Sequence, residues 1–306
     1  MLENRNLLEA SLARYRKYQK WLERQPVSAQ TRRAYLSRIN GFLGFLGTSG
    51  EDLRRLVENE QERKHVIREF KRYLKQQIKV LPATVNANLT AIDHFFQFLG
   101  TQATKVDRED LPQEAPRALS KAEQKAFLRA VSACRRPKDR AVALLFFYTG
   151  IRISECAGLD VDDVSVIGRK NRVVVRSGKG DRYREIPLHL EARDSIKTWL
   201  DERTKKFEES EKFKGTKISP ALFLNPQGKR LSTASLDLIV RKIGKTCGLD
   251  LSAHVLRHSC LTNLVRNGND LVLVAEIGGH KRLETTKRYT LPTAGDKQRA
   301  LEGLME

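Results

Sequence analysis

Residues 141–155 read AVALLFFYTGIRISE. The first eight residues are apolar on every side of a helix, which is typical of a helix buried inside a core. Gly150 is suited to end this helix, because glycine readily adopts the left-handed conformation found at helix C-termini. Arg152 follows on that rigid support, and we predict that Ser154 caps a second, short helix. The stretch therefore predicts a folded core with one cationic side chain fixed at its edge.

A small antiparallel sheet is predicted directly after this region. Three runs of strand-forming residues cover 164–167, 172–176 and 183–187, and the glycine-rich turn SGKGD at 177–181 joins the last two. Helices are predicted around the sheet, with a highly charged one over 190–214 and others beginning near Ser120, Thr233, His254, Asp270 and Glu284. The fold class of this half is α+β, mostly α, with a small antiparallel sheet.

The first third of the chain has the 3.6-residue period of amphipathic helices. Apolar residues recur at spacings of three and four over 8–22, 35–46, 66–74 and 85–99, and Ser28 is suited to cap the second of these helices. Each apolar face is too narrow for its helix to be stable alone. We therefore expect the four helices to pack as a small N-terminal helical bundle.

The chain carries 57 Lys and Arg residues against 37 Asp and Glu residues, a net charge of +20. The charge is +9 over 1–106, −3 over 107–114 and +14 over 115–306. Nucleic acid is the first candidate for a partner, because cationic side chains release counterions from phosphates. Charge alone leaves open a ribosomal or membrane-surface partner, or a protein that is merely soluble and basic.

Two domains joined by a short linker are expected. The stretch 107–117 is acidic and contains two prolines, which disfavour helix, so it is predicted to be extended. Its flanks, 1–106 and 118–291, are expected to be the domains, and 292–306 a C-terminal tail. Two basic domains on a short tether are suited to grip a duplex from two sides.

Composition and motifs disfavour several other classes of protein. The chain has no uninterrupted apolar run of about 18 residues and starts with a charged segment, so we expect no membrane span, no secretory signal and a cytoplasmic location. The cysteines are scattered, which predicts reduced thiols; they are Cys134, Cys156, Cys247 and Cys260. No P-loop, no H-E-x-x-H and no carboxylate cluster suited to metal ions is present, so a reaction without metal has to be considered.

The remaining candidate residues fit the chemistry of a phosphate group. His254 and Arg257, in HVLRH at 254–258, share a helix face and are suited to cradle a phosphate. Lys179 lies between two glycines, and Tyr289 lies among cations that favour the nucleophilic phenolate. Taken singly, each has an ordinary alternative: a capping histidine, a surface arginine, an exposed turn lysine or a packed tyrosine.

Taken together, five motifs resemble the tyrosine recombinase (phage integrase) family. They occur in the family's order, as TGIRISE with Arg152, SGKGDRYREIPL with Lys179, HVLRH, GGH at 278–280 and finally Tyr289. The resemblance is to the simple two-domain type, similar to Xer or transposon-encoded recombinases and resolvases. It implies that the first block is the family's core-binding, SAM-like domain and the second its catalytic domain. The family's usual Leu-Gly-His is here Gly-Gly-His, which keeps the histidine.

The resemblance also implies a mechanism. Tyr289 would attack a DNA phosphodiester, form a 3′-phosphotyrosine link and release a 5′-hydroxyl. Arg152 and Arg257 would hold the non-bridging oxygens, and His280 would donate a hydrogen bond to the phosphate. His254 would act as acid or base, and Lys179 would protonate the leaving oxygen. No metal or other cofactor is implied, since the covalent link conserves the bond energy.

The implied partners are a double-stranded DNA recombination site and further copies of the chain. A dimer would occupy each site, and a tetramer would exchange strands between two sites through a Holliday junction. A mobile element is the expected context, with cointegrate resolution, integration or excision as its outcome, and the tail is expected to dock on a neighbouring protomer. Two other functions stay open: type IB topoisomerase-like DNA relaxation, and a binding-only accessory DNA protein.

Overall fold

A computed structural model of the 306-residue chain describes all of it except a few short segments. Outside the description lie 1, 103–105, 112–114, 167, 169–170, 177–182, 281, 293–295, 297, 299–300 and 303–306, and the side chains of 2–10 and 211. The chain forms two compact units, Met1–Pro112 and Gln113–Glu306. Their boundary lies inside the stretch 107–117.

The described part of the first unit consists of helices packed around an aromatic and aliphatic core. The helices are α1 (Leu2–Glu23), α2 (Ala29–Ser49), α3 (Leu53–Glu58), α4 (Glu60–Gln76) and α5 (Pro82–Phe98). Ser28 caps α2 as predicted, accepting a hydrogen bond from the backbone N–H of Thr31 at 3.0 Å. Phe42, Phe70 and Phe96 lie at the centre of the core. The predicted bundle is confirmed, and α3 is added to it.

The first residues of the predicted linker are fixed against the first unit. Glu109 forms ion pairs with Lys71 and Lys75, each at 2.8 Å. The side-chain amide of Asn86 donates to the backbone oxygen of Glu109 at 2.8 Å. These contacts lower the pKa of the Glu109 carboxyl, chiefly through the hydrogen bond from Lys71. This part of the linker is thus folded onto α4 and α5.

The second unit combines helices with one small sheet. Its described elements are α6 (Lys121–Ser132), α7 (Pro137–Thr149), α8 (Ile153–Gly158), β1 (Val164–Ser165), β2 (Arg172–Val175), β3 (Arg184–Pro187), α9 (Leu190–Arg203), α10 (Thr233–Thr246), α11 (Ala253–Arg266), α12 (Leu271–Gly278) and α13 (Leu283–Lys287). The strands are antiparallel in the order β1-β2-β3, with Val173 opposite Ile186. The α+β class, mostly α, is confirmed.

Helix α7 forms the centre of the second core. Its residues from Ala141 to Phe147 are all buried, and it packs against α9, α10 and α11. Gly150 ends the helix in the left-handed conformation, at φ 59°, as predicted. A Cβ atom at Gly150 would lie 3.3 Å from the Cys260 sulfur, so a larger residue would crowd α11. This close approach brings the end of α7 to the candidate site.

Two local predictions are wrong. Helix α8 starts two residues earlier than expected, with Arg152 rather than Ser154 at its N-cap, because the Glu155 carboxylate accepts the Arg152 backbone N–H at 2.9 Å. The charged helix over 190–214 ends at Arg203, where α9 passes into a π-helical turn over Thr204–Glu208. The buried guanidinium of Arg203 donates to the Ser219 backbone oxygen at 2.7 Å, which fixes the chain at this point.

Candidate active site

The N-terminal half of α11 carries three of the site's side chains. Ser252 caps the helix and accepts the backbone N–H of Val255 at 3.3 Å. Arg257, one turn into the helix, is buried and donates to the backbone oxygens of Gly150 and Gly278, the latter at 2.6 Å. The end of α7, the start of α11 and the end of α12 therefore meet at one guanidinium. His254 and His258 lie on the same helix, one turn apart.

The second arginine, Arg152, belongs to an ion-pair network. Its Nη1 donates to Glu155 at 2.7 Å and its Nη2 to the Gly279 backbone oxygen at 2.6 Å. Arg184, which is 5% exposed, donates hydrogen bonds of 3.0 and 2.7 Å to the two oxygens of the same carboxylate. Burial alone would raise the pKa of Glu155, but the hydrogen bonds and charges of Arg184 and Arg152 outweigh it, and the pKa is lowered. Glu155 is therefore a permanent anion between two cations.

The turn between Gly278 and Gly279 provides backbone oxygens to both arginines. Gly279 has a φ of 63°, and a Cβ atom there would lie 2.7 Å from Nη1 of Arg184. Gly278 ends α12, and a Cβ atom there would lie 3.2 Å from the ring of His280. A leucine in its place would therefore push against that ring, so the Gly-Gly-His of this chain suits the tight turn.

His280 is oriented by two hydrogen bonds. Its Nε2 lies 2.9 Å from Nη2 of Arg257, and its Nδ1 lies 2.8 Å from the hydroxyl of Thr286. Arginine can only donate, so Nε2 accepts and the ring proton is on Nδ1. Burial, followed by the charges of Arg257 and Arg152, lowers the pKa of His280 to about 4, so the ring is neutral at pH 7. A donor role toward phosphate would require the proton to move to Nε2, away from Arg257.

Tyr289 lies just beyond α13 and is 4% exposed. Its ring is parallel to that of His280, at an interplanar angle of 3° and a centroid distance of 5.8 Å. Burial raises the pKa of the phenol, while the charges of Arg257 and Arg288 act in the opposite direction. The arginines favour phenolate, as predicted. The prediction is wrong for the net shift of the pKa, because burial is the larger effect. Tyr289 is a protonated phenol at neutral pH.

The structure adds His258, a residue to which the sequence alone assigns no role. Nδ1 of His258 lies 3.0 Å from the Tyr289 hydroxyl, and its Nε2 lies 2.7 Å from Nε2 of His254. His258 is 6% exposed, whereas His254 is exposed. The spacing of four residues in HVLRH could have shown that the two rings share a helix face. Arg184 and Glu155 were also missed, since no local pattern marks an ion pair across 29 residues of chain.

Most of the predicted site residues come together in the second unit. Hydrogen bonds and ring contacts connect Arg152, His254, Arg257, His280 and Tyr289 through Gly278, Gly279 and His258. Lys179 lies outside the described residues. Among the residues that are described, no three His, Cys, Asp or Glu side chains form a group able to hold a metal ion. None of the helices in this described part is long and apolar enough to cross a membrane.

Comparison with known proteins agrees with this geometry. Residues 117–295 match the model of the phage integrase family. The tyrosine recombinase XerA of Pyrococcus horikoshii is 30% identical over 224 residues, which cover 72% of this chain and 73% of the relative. The tyrosine recombinase XerC of Corynebacterium efficiens is 32% identical over 211 residues, which cover 68% of this chain and 63% of the relative. The chain therefore belongs to the phage integrase family, and it is a tyrosine-type site-specific recombinase.

Solved structures show that the fold extends over most of the chain. The XerH recombinase bound to its difH substrate, before cleavage, superposes with a TM-score of 0.69 at 23% identity, covering 88% of this chain and 78% of that one. The Tn1549 transposon integrase in complex with circular intermediate DNA superposes with a TM-score of 0.63 at 18% identity, covering 96% and 99%. The resemblance inferred from five sequence motifs is confirmed.

Proposed function

We propose that Tyr289 is the nucleophile of this recombinase. Its phenol oxygen would attack a DNA phosphodiester, form a 3′-phosphotyrosine bond and expel the 5′-oxygen of the next nucleotide. A 5′-hydroxyl from a second duplex would then attack this bond and restore a phosphodiester. Each step exchanges one phosphoester for another, so the reaction needs no external energy source.

The cations around Tyr289 support this proposal most directly. Arg152 and Arg257 are both anchored on backbone oxygens of the same Gly-Gly turn, which brings two guanidinium groups to one place. Two like charges in a partly buried site repel each other, and Arg152 contributes to lowering the pKa of Arg257 to about 10, although burial is the larger cause. A phosphate between the arginines would relieve that repulsion, and it would do so most in the transition state, where its charge is greatest.

The other roles are those that the family resemblance implies. His254 would exchange a proton during attack and reversal, and His280 would assist at the phosphate. Lys179 would protonate the leaving oxygen, a role that rests on its motif alone. Exposed cations of the first unit, such as Arg33 and Lys79, would bind the DNA backbone. Action on DNA would place the protein in the cytoplasm, as the sequence predicts.

The biological reaction would be strand exchange between two DNA sites. A dimer at each site and a tetramer across both would act through a Holliday junction, for the benefit of a mobile element. The relatives support recombination as the outcome, and the XerH structure contains a recombination substrate. The likeness to a transposon integrase is one of fold, and the choice between cointegrate resolution and integration or excision rests on the sequence resemblance.

Covalent capture tests this proposal and finds the target site in the same experiment. Tagged protein is incubated with sheared genomic DNA of the organism that encodes it, and detergent then removes DNA that is not covalently attached. Wild type should recover fragments that share one sequence and carry protein at their 3′-phosphate. Tyr289→Phe keeps the ring on His280 but lacks the nucleophile, so it should recover none. Equal recovery by both proteins, or none by wild type, would contradict the proposal.

A plasmid with two copies of the captured site separates recombination from simple relaxation. A recombinase converts the plasmid into two smaller circles or inverts the segment between the sites. A type IB topoisomerase-like enzyme would instead give a ladder of relaxed plasmid with its sequence order unchanged. A binding-only accessory protein would retard the plasmid in a gel and leave no covalent adduct.

A further inference from the structure

The hydroxyl of Tyr289 is buried and has an imidazole as its hydrogen-bond partner. Nδ1 of His258 lies 3.0 Å from that oxygen, and the two rings are 5.5 Å apart at an angle of 49°. Tyrosine and histidine are both almost fully buried here, at 4% and 6% exposure. Among the described residues, the group that hydrogen-bonds to the phenol and is able to accept its proton is therefore the imidazole of His258.

The second nitrogen of the same ring continues the route. Nε2 of His258 lies 2.7 Å from Nε2 of His254, whose side chain is exposed. The two histidines are four residues apart on α11, so one helix face holds them in line. The three side chains form an unbroken series of hydrogen-bonding atoms from the buried phenol to the surface of the unit.

We propose that His258 is a catalytic residue of this recombinase, which accepts the phenol proton of Tyr289 and passes a proton to His254. The inference rests on the proposed role of Tyr289 as the nucleophile. It assigns to His254 the role of the outlet to solvent, and to His258 the direct contact with the reacting oxygen.

The proton transfer is balanced in each direction. As the phenol oxygen bonds to phosphorus, its O–H bond breaks and an N–H bond forms at Nδ1 of His258. The proton on Nε2 of His258 moves to Nε2 of His254, and the proton on Nδ1 of His254 leaves to water. Neutral histidine carries one ring proton, so both rings end neutral with their protons on the opposite nitrogen. When a 5′-hydroxyl displaces the tyrosine, the same series returns a proton to the phenolate.

The charges around His258 keep it ready to accept. Burial lowers its pKa to about 3, and the neighbouring charges that act in the same direction belong to His254 and Arg257 on α11, Arg288 after α13 and His280 after α12. The ring is therefore neutral above pH 5, with a free lone pair on one nitrogen. A base this weak does not retain the proton, which suits a relay better than a final acceptor.

Replacing His258 with asparagine separates a relay from a purely structural contact. The side-chain oxygen of asparagine occupies a position close to Nδ1 and still accepts the phenol hydrogen bond, but an amide does not carry a proton from one side to the other. His94 provides a matched control, because its Nδ1 lies 2.8 Å from the Tyr18 hydroxyl in the first unit, in an equivalent Tyr–His pair. The variants are His258→Asn and His94→Asn.

The readout is the rate of covalent attachment of full-length protein to a nicked duplex of the site captured by wild type, under single-turnover conditions between pH 7 and pH 9. The rate of wild type should be nearly independent of pH, because His258 is fully neutral over this range. His258→Asn should be slower at pH 7 by about 10²-fold, a typical loss for a general base. Its rate should rise almost tenfold for each pH unit, as the phenol ionises without help. His94→Asn should behave as wild type.

Three results would overturn the relay: a wild-type rate for His258→Asn, a slower rate with a level pH profile, or a similar loss in His94→Asn. A second measurement needs no DNA. In ¹⁵N-labelled protein, long-range ¹H–¹⁵N spectra at pH 7 should show His258 with bare Nδ1 and protonated Nε2, and Tyr289→Phe should shift Nδ1 specifically. The opposite tautomer would contradict the proposed direction of transfer. If wild type attaches to no DNA, the proposed function fails, whereas the tautomer still tests the hydrogen bonds.

Discussion

The backbone oxygen of Gly279 accepts a hydrogen bond from Nη2 of Arg152 at 2.6 Å, although 127 residues of chain separate them. Gly279 has a left-handed backbone, and the space where its Cβ atom would lie is bordered by Arg184 at 2.7 Å and by Nη1 of Arg152 at 2.9 Å. The absence of a side chain at this position therefore lets two guanidinium groups approach the turn together.

The first prediction concerns Gly279→Ala. Alanine is strained in the left-handed conformation of this position, and its methyl group overlaps Arg184 and Arg152. Both arginines must therefore move. We expect covalent attachment to DNA to fall by at least 10²-fold and the free energy of unfolding to fall by about 1–3 kcal/mol from overpacking, besides the backbone strain. Urea unfolding and single-turnover cleavage measure the two effects.

Gly248→Ala is the matched control, because Gly248 has a similar φ of 71° and no atom within 4 Å of the added methyl group. Its free energy of unfolding should fall only by the strain of alanine in the left-handed conformation, about 1–2 kcal/mol. Its cleavage rate should equal that of wild type. If the two variants lose activity equally, the close approach of the arginines is not the reason for glycine at 279.

The second prediction concerns the buried anion. Glu155→Gln leaves Arg184 buried with no counter-ion, and breaking a buried pair in this way costs about 3–5 kcal/mol. The control is Glu185→Gln, which breaks the ion pair between Glu185 and Arg172. Their side chains are 41% and 34% exposed, so the free energy of unfolding should change by less than about 0.5 kcal/mol. Chemical unfolding at pH 7 distinguishes them, and similar values for both would contradict the structure.

The same carboxyl sets a dependence on pH. Its pKa is lower in the folded protein than the ordinary 4.5, so its stabilising contribution is complete above that value and is lost as the pH falls through the folded pKa. Wild type should therefore lose more stability than Glu155→Gln between pH 5 and pH 3. Thermal unfolding at several pH values measures this difference. If the stability of the two proteins fell in parallel with pH, Glu155 would not titrate as inferred.

The third prediction concerns Arg257→Lys. A lysine is a point charge and does not reach Gly150, Gly278 and His280 together, so we expect cleavage to fall by more than 10²-fold. The site lowers the pKa of arginine from 12.5 to about 10, chiefly by burial, and lysine begins near 10.4. The variant should therefore lose its charge at lower pH than wild type, and its residual rate should fall between pH 7 and pH 9. A residual rate that is independent of pH would contradict this reasoning.

The fold was predictable from sequence where the signal is local. Helix α7 follows from eight consecutive apolar residues, and the caps at Ser28 and Ser120 follow from patterns of three or four residues. Helix α3 was missed because six residues do not show a period. The cap of α8 was misassigned because Ser154 fits the local pattern, whereas the Glu155 side chain returns to the backbone of Arg152.

The site was predictable only as a set of residue types in order. The contact between His258 and Tyr289 joins residues 31 positions apart, and the pair of Glu155 and Arg184 joins residues 29 positions apart. The raised pKa of Tyr289 depends on burial that the packing of α13 creates, whereas the sequence shows only the neighbouring cations. The side-chain chemistry of this site is therefore visible in the sequence, but its electrostatic balance is not.

The cations of the first unit should differ in their contribution to DNA binding. Arg33 is exposed on α2, whereas Lys71 already pairs with Glu109 at 2.8 Å and donates to the Asp107 backbone oxygen at 2.6 Å. Each phosphate that a protein neutralises contributes about −0.9 to the slope of log affinity against log salt. Arg33→Gln should therefore flatten the slope by about 0.9, and Lys71→Gln should leave it nearly unchanged. Fluorescence anisotropy with a labelled duplex of arbitrary sequence, at several KCl concentrations, measures both. A flat response of wild type, or an equal effect of the two variants, would contradict the assignment of Arg33 to the DNA backbone.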